Sequence, residues 1–333
     1  MQLPDHKAGA QLYNTTAVDL GQPLVDINAK GKQQPWAAHK DQTALLSYAY
    51  EQLGNDRKAG RVQCCAPRLV FGRTEEGRLK LAAASFCRVR LCPVCQWRRS
   101  LKLFGQTTEV VKAVQQQRKV AWLMLTLTVK NVDGIDLPNE ITIIHKAWDR
   151  LCKTKAFQGA VLGWQRCLEV THNVDESSGA YDTYHPHIHA LLCVKPSYFT
   201  HGYIKRDQWA NMWAAAARLD YVPQVWVSRV KDGSAGAVAE VTKYAAKPGD
   251  YLTAWDVDMM LNSVEIMDNA LHRRRLVAFG GILKDAHKAL GLDDVEDGDL
   301  VHTDNDPTPE AAAAALTTFA WVPGYRQYYL SKE

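Results

Sequence analysis

Apolar and polar residues alternate with period two at several places in the middle of the chain, with helical spacing between them. From Trp122 to Val129, Leu123, Leu125, Leu127 and Val129 share one face and Met124, Thr126 and Thr128 the other, which predicts a half-buried strand. Asn139–Phe157 then carries Ile143, Ile144, Ala147, Trp148 and Leu151 at helical spacing behind Pro138. Val161–Thr171 and Tyr184–Val194 read as two more strands, and the polar loop Asn173–Asp182 between them makes an antiparallel hairpin the economical pairing. Gln208–Leu219 predicts a helix, Pro223–Val230 a strand, and Ser234–Lys247 a helix closed by Pro248-Gly249. Strand, helix, two strands, helix, strand, helix is the order of an α+β fold, an antiparallel sheet with flanking helices.

The flanks are less regular. Residues 1–35 are polar without a sustained period and predict a flexible arm. A helical pattern covers Thr43–Gly54, and short apolar pieces, turns and most of the cysteines fill residues 61–99. Leu101–Gln117 predicts an amphipathic helix leading out of that module. Beyond Asp250, helices are expected near Asp256–Asn269 and Lys284–Leu290. Asp293–Asp306, acidic and polar, reads as a linker or exposed loop. Ala311–Ala315 favours helix, and the aromatic-rich Phe319–Leu330 is expected to pack back onto the domain.

A chain of 333 residues can bury one large core or two modest ones. Its 40 Lys+Arg against 36 Asp+Glu leave a charge of +4, compatible with nucleic acid without singling it out. No 18-residue apolar run appears and the N-terminus lacks a signal-peptide pattern, so a soluble, unexported, non-membrane protein in a reducing compartment is expected. In that setting, clustered cysteines hold metal more often than they form disulfides. Of the eight, Cys152, Cys167 and Cys193 are scattered among apolar neighbours and read as core packing.

Cys87-x4-Cys92-Pro93-Val94-Cys95 supplies three thiols at ligand spacing, and Cys64 or Cys65 upstream can supply a fourth. Four thiolates make a closed tetrahedral zinc site, structural because no position stays open. Backbone N–H groups in such a knuckle point at the sulfurs. Arg88, Arg90, Arg98, Arg99 and Lys102 surround it, either to contact DNA phosphates or as a solvated face.

In His185-Pro186-His187-Ile188-His189, period two gathers the imidazoles on one face and Pro186, Ile188, Ala190, Leu192 and Val194 on the other. Two imidazoles at i and i+2 on a strand can share a divalent cation. A turn near Gly179 would lay Glu169 opposite His187 as the third ligand, with His185 the competing choice. A carboxylate with two imidazoles suits Mn²⁺ or Mg²⁺ and leaves positions open for phosphate. On the Ser234–Lys247 helix, Glu240, Tyr244 and Lys247 form one stripe, while Val238, Val241 and Ala245 form another about 120° away that should pack on the sheet. Lys beside Tyr favours the phenolate, whose ordinary pKa near ~10 is too high for attack at neutral pH. By itself that helix is better read as an exposed surface with solvated charges, and the case for chemistry rests on the combination of motifs.

Together these motifs resemble the replication initiators of rolling-circle plasmids, HUH endonucleases of the branch with one tyrosine and an accompanying glutamate. The matching pieces run in family order: Phe86-Cys87-x4-Cys92-Pro93-x-Cys95-x-Trp97-Arg98; Leu123-x-Leu125-Thr126-Leu127-Thr128-x2-Asn131; Leu168-Glu169-Val170-Thr171-x-Asn173; His185-Pro186-His187-Ile188-His189-x-Leu191-Leu192; Glu240-x2-Lys243-Tyr244-x2-Lys247; and Asp250-Tyr251-Leu252. The likeness covers roughly residues 40–290, leaving the arm and the tail outside. Cys65 fits the family spacing better than Cys64, and the motif needs only His187 and His189.

The resemblance implies an HUH-type sheet carrying an N-terminal zinc module, and a metal at His187, His189 and Glu169 that polarises a phosphate of origin DNA. Tyr244 attacks that phosphate to leave a 5′-phosphotyrosine and a free 3′-OH, with Lys243 or Lys247 assisting. Glu240 would activate water for a terminating cut. Host helicase and polymerase complete replication in a bacterial cytoplasm. The domain division that follows is a flexible arm at 1–35, a helical and zinc-binding module at 36–118, the nickase domain at 119–252, and a helical extension and tail at 253–333. Other readings are a zinc-module DNA-binding regulator without nuclease activity, a small-molecule metallohydrolase, and a relaxase or transposase of the same superfamily.

Overall fold

The computed structural model describes residues 20–230, 238–239, 241–242, 246–252, 256–303 and 316–331. Two helices open it, α1 (Trp36–Gln52) and α2 (Asp56–Gln63), followed by strands β1 (Arg68–Arg73) and β2 (Leu79–Ala84) and the long helix α3 (Pro93–Gln117). Pro93 sits in the first turn of α3, where its missing N–H has no helical partner to lose. Next come β3 (Ala121–Thr128), α4 (Leu137–Cys152), α5 (Lys155–Ala160), the hairpin β4 (Val161–Asn173) and β5 (Thr183–Val194), the single turn α6 (Tyr198–His201), α7 (Arg206–Ala217) and β6 (Val225–Val230). The helix expected over Asn139–Phe157 is thus two helices. The Thr154 side chain accepts from the Phe157 N–H, and that cap starts a second helix.

The C-terminal third holds α8 (Val257–Leu271), β7 (Val277–Gly281), α9 (Ile282–Ala289), β8 (Thr317–Val322) and β9 (Gln327–Leu330). A helical extension was expected there, and the three strands were not. Gly281 permits the abrupt turn from β7 into α9: its φ is +54°, and a Cβ there would lie 2.3 Å from the Leu162 carbonyl oxygen.

All strand pairs are antiparallel and form two sheets, β6-β3-β5-β4-β7 and β2-β1-β8-β9. On one face of the larger sheet, Leu123, Leu125, Leu127, Leu168, Val170, Ile188, Ala190 and Leu192 join α4 and α7 in the main core, through Ile141, Ile144, Trp148, Trp209 and Trp213. The opposite face is apolar only at one end, where Trp122, Met124, Leu191 and Cys193 meet Val110, Val111 and Val114 of α3 and Leu283 and Ala286 of α9. β3 is therefore buried on both faces along its first half, because α3 extends far enough to cover it. The other end of that face is polar and carries Thr126, Thr128, Glu169, His187 and His189, and this contrast along one face positions the site.

In the smaller sheet, Trp36, Phe71, Trp97 and Phe319 pack edge to face. Phe319–Leu330 does pack back, as β8 and β9. Residues 293–301 correct the expectation of a linker. Val295 and Leu300 are buried, Lys102 pairs with Asp293, and Arg98 donates to the carbonyls of Leu300 (2.9 Å) and Val301 (2.7 Å). Acidic composition was read as solvation, yet Asp293 meets the buried Lys102 and Glu296 meets Arg90, both distant in sequence. No helix among the described residues is long and apolar enough to cross a membrane.

Candidate metal centres

Strand β5 is the anchor of the first centre. The register sets Glu169 of β4 opposite His187, and Thr126 of β3 opposite His189. The Nδ1 of His187 lies 3.0 Å from the His185 carbonyl oxygen, which can only accept, so Nδ1 donates there and Nε2 is the ring nitrogen left for Glu169. His189 Nδ1 lies 3.1 Å from Thr126 Oγ1. Both rings thus turn Nε2 toward Glu169, whose Oε2 is 2.9 Å from His189 Nε2 and 3.4 Å from His187 Nε2. This is how outer partners aim the imidazoles of a metal site. One donor atom from each of Glu169, His187 and His189 lies within 4.8 Å of the others, and all three residues are buried. Two imidazoles and a carboxylate around one point fit a divalent cation. His185 instead stacks on His187, with ring centroids 5.1 Å apart, and is not part of this donor group.

Burial alone would push the Glu169 carboxyl up. Hydrogen bonds from His187 and His189, the His187 charge and Lys247 outweigh it and hold the group ionised, well below the usual carboxylate range. The Lys247 ammonium lies 3.0 Å from Glu169 Oε1. Lys247 does not end a helix as expected; its backbone is extended (φ −80°, ψ 146°) and leads into a 3-10 turn, Pro248–Asp250. That turn is fixed from two sides. Asp250 Oδ2 accepts from Lys247 N at 2.8 Å, and the Asp250 carbonyl oxygen is 3.2 Å from Nδ1 of His172, whose Nε2 meets Asp182 Oδ1 at 2.9 Å. Val238 and Val241 are buried, as their stripe predicts. Glu240, Lys243 and Tyr244 lie outside the described residues.

The second centre is the cysteine cluster. Cys65, Cys87, Cys92 and Cys95 converge, with Sγ separations of 3.6 Å for Cys65–Cys95, 3.7 Å for Cys87–Cys95 and 3.5 Å for Cys92–Cys65. These match the edge of a tetrahedron with metal–sulfur bonds of about 2.3 Å and are far too long for a disulfide. Backbone N–H groups point at the sulfurs as a knuckle requires: Arg88 N to Cys95 Sγ at 3.3 Å, and Cys87 N to Cys65 Sγ at 3.5 Å. Hydrogen bonds from Cys65, Cys87 and Cys92 pull the Cys95 thiol well below its ordinary value. Cys64 is exposed and outside the cluster.

The four arginines expected at DNA are engaged within the protein. Arg88 donates to the carbonyls of Asp297 and Gly298, Arg90 to Glu296 Oε2, Arg98 to those of Leu300 and Val301, and Arg99 to that of Glu296. They fasten residues 296–301 over the cysteine cluster. Sequence reasoning missed Thr126 and the His185 carbonyl as the groups that aim the two imidazoles. The available signal was a hydroxyl on a strand of otherwise apolar residues.

A profile of the replication protein family matches residues 78–329. The chain belongs to that family. It is 39% identical to "Protein rep" of Bacillus amyloliquefaciens over 92% of this chain and 97% of that one, and 37% identical to "Protein rep" of Streptococcus pneumoniae serotype 2 over 93% and 96%. A "Protein rep" of Bacillus sp. is 42% identical over 74% of this chain and 84% of its own length. No solved structure matches. The replication protein profile extends beyond the stretch of 40–290 covered by the ordered motifs and ends within β9. The resemblance read from the ordered motifs stands: this is a plasmid replication initiator of the Rep type.

Proposed function

We propose that this replication protein starts rolling-circle copying by nicking one strand of its plasmid origin through Tyr244, on an HUH-type sheet. The observation that carries the reading is the Glu169–His187–His189 group, aimed from behind by Thr126 and the His185 carbonyl at the polar end of a sheet face. Mn²⁺ or Mg²⁺ held there would polarise a phosphate and leave positions open for it. Tyr244 attacks that phosphorus, the bond to the 3′-oxygen breaks, and the 3′-oxygen takes up a proton to become the primer end. Chain connectivity supports this role: Tyr244 is three residues from Lys247, at most about 11 Å along the backbone, and the Lys247 ammonium touches Glu169. Lys243 and Lys247 supply positive charge beside phenolate or phosphate. In this reading residues 36–118 carry the structural zinc and 119–252 the nicking centre, with the strands of 253–333 completing both sheets. Origin DNA, extruded or single-stranded at the nick, is the substrate; host helicase and polymerase, in the bacterial cytoplasm, do the rest.

Incubation with Mn²⁺ and a supercoiled plasmid bearing its own origin is expected to give nicked DNA with attached protein. His187→Ala and His189→Ala should each abolish that product, as should a chelator, with Mn²⁺ or Mg²⁺ restoring the wild type. Cleavage of single-stranded origin DNA that survives thorough chelation refutes the metal's role. Specific DNA binding without covalent product under any divalent metal would leave the regulator reading in its place.

Glu240, four residues before Tyr244, is assigned to termination. A carboxylate can take a proton from water but forms no stable DNA adduct, so water attack releases the DNA end when the regenerated origin is cut again. Glu240→Ala should nick and attach normally yet accumulate multimeric single-stranded products. A glutamate that only pairs with a neighbouring lysine is worth about 0.3–0.5 kcal/mol on a helix surface, and its loss would leave initiation and termination equally intact.

A further inference from the structure

Trp226 is 71% exposed, whereas every other described tryptophan is buried or half-buried. It sits on β6, the edge strand of the larger sheet. The register pairs Trp226 with Thr126, and Thr126 with His189, so the indole leaves the sheet on the same face as Glu169, His187 and His189. Two strand spacings of about 4.8 Å put its root about 10 Å from His189 across the sheet. Its neighbours on that face are Gln224 and Ser228 on its own strand and Thr126 on β3, none of which offers an apolar surface to cover the ring.

The strand that carries the ring is well held. Thr128 Oγ1 donates to the Gln224 carbonyl at 2.8 Å, and Lys130 N to Tyr221 Oη at 2.8 Å. The Lys130 side chain is exposed and lies over the Tyr221 ring at 4.2 Å, presenting a cation at the same edge. An indole left in water on the face of the Glu169–His187–His189 group, with a cation nearby, has the chemistry of a base-stacking platform on a single strand.

We propose that Trp226 stacks on one base of the single strand flanking the scissile phosphate, with Lys130 meeting a neighbouring phosphate. This rests on the nickase reading for where the phosphate lies. Stacking on β6 would hold the strand taut across the sheet, so that one phosphate is presented at the metal centre.

The test measures binding of the full chain to fluorescent single-stranded origin oligonucleotides, for the wild type, Trp226→Ala and Trp226→Phe. Oligonucleotides with a single abasic site walked through the positions flanking the nick complete a double-mutant cycle. Trp226→Ala should weaken binding of the intact strand about 5- to 150-fold with an unchanged Tm, and Trp226→Phe should recover most of it. At one position the abasic strand should cost the wild type the same factor and cost Trp226→Ala nothing more. Unchanged affinity in Trp226→Ala, or losses that simply add at every abasic position, overturns the proposal. So does a change in oligomeric mass with DNA binding intact, which would make the ring a protein contact. A wild type that binds these strands but never cuts them in Mn²⁺ fails the nickase reading alone, and the cycle still decides the stacking.

Discussion

Origin plasmid incubated with Mn²⁺ and the Tyr244→Phe protein is expected to remain supercoiled and free of attached protein, while binding of origin DNA stays at the wild-type level. The substitution removes only the phenolic oxygen, the atom that would bond to phosphorus. Loss of a covalent nucleophile costs on the order of 10⁴-fold or more in rate, so residual product should fall below detection. Gel analysis after denaturation reads both nicking and attachment. Nicked, protein-linked DNA from this variant would sink the assignment of Tyr244.

Cys92→Ser or Cys95→Ser should give protein that lacks one zinc and folds poorly. Structural zinc contributes about 10–16 kcal/mol in small modules, against a net stability of about 5–15 kcal/mol for a whole domain. The surrounding structure depends on that corner: Lys40 donates to the Cys65 carbonyl and Tyr328 to that of Ala66. Elemental analysis and thermal unfolding check the outcome. Cys64→Ser is the control and should keep its zinc, since that thiol is exposed and outside the cluster. Purified, active protein with no zinc would reject the structural role.

The larger sheet was legible because its strands announce themselves locally. Period two in Trp122–Val129 and His185–Val194 set the faces, and a hairpin turning near Gly179 gave the observed register of Glu169 with His187. The cysteine spacing gave the ligand group, and the neighbouring sulfurs decided Cys65 over Cys64. What escaped was non-local. β1 pairs with β8 across most of the chain, and a register shift between Val70 and Phe71 breaks its alternation. β7 is short and carries two glycines, so it shows little strand character alone. The acidic run at 293–301 looks solvated until Lys102, Arg90 and Arg98 are set beside it. Burial of charge by a distant partner leaves no periodic trace in sequence.

The order β2-β1-β8-β9 has a consequence for synthesis. During translation β1 and β2 emerge between Cys65 and the other three cysteines of the cluster, yet β1 lacks the neighbour on its other side until residues 317–330 have been made. At about 5–20 residues per second, that exposed strand edge waits on the order of tens of seconds. By then the strands bearing Glu169, His187 and His189 have left the ribosome. A chain cut short before residue 317 would leave β1 bare along one edge and Phe71 without Phe319. The late strands thus tie the folding of this corner to complete synthesis of the chain.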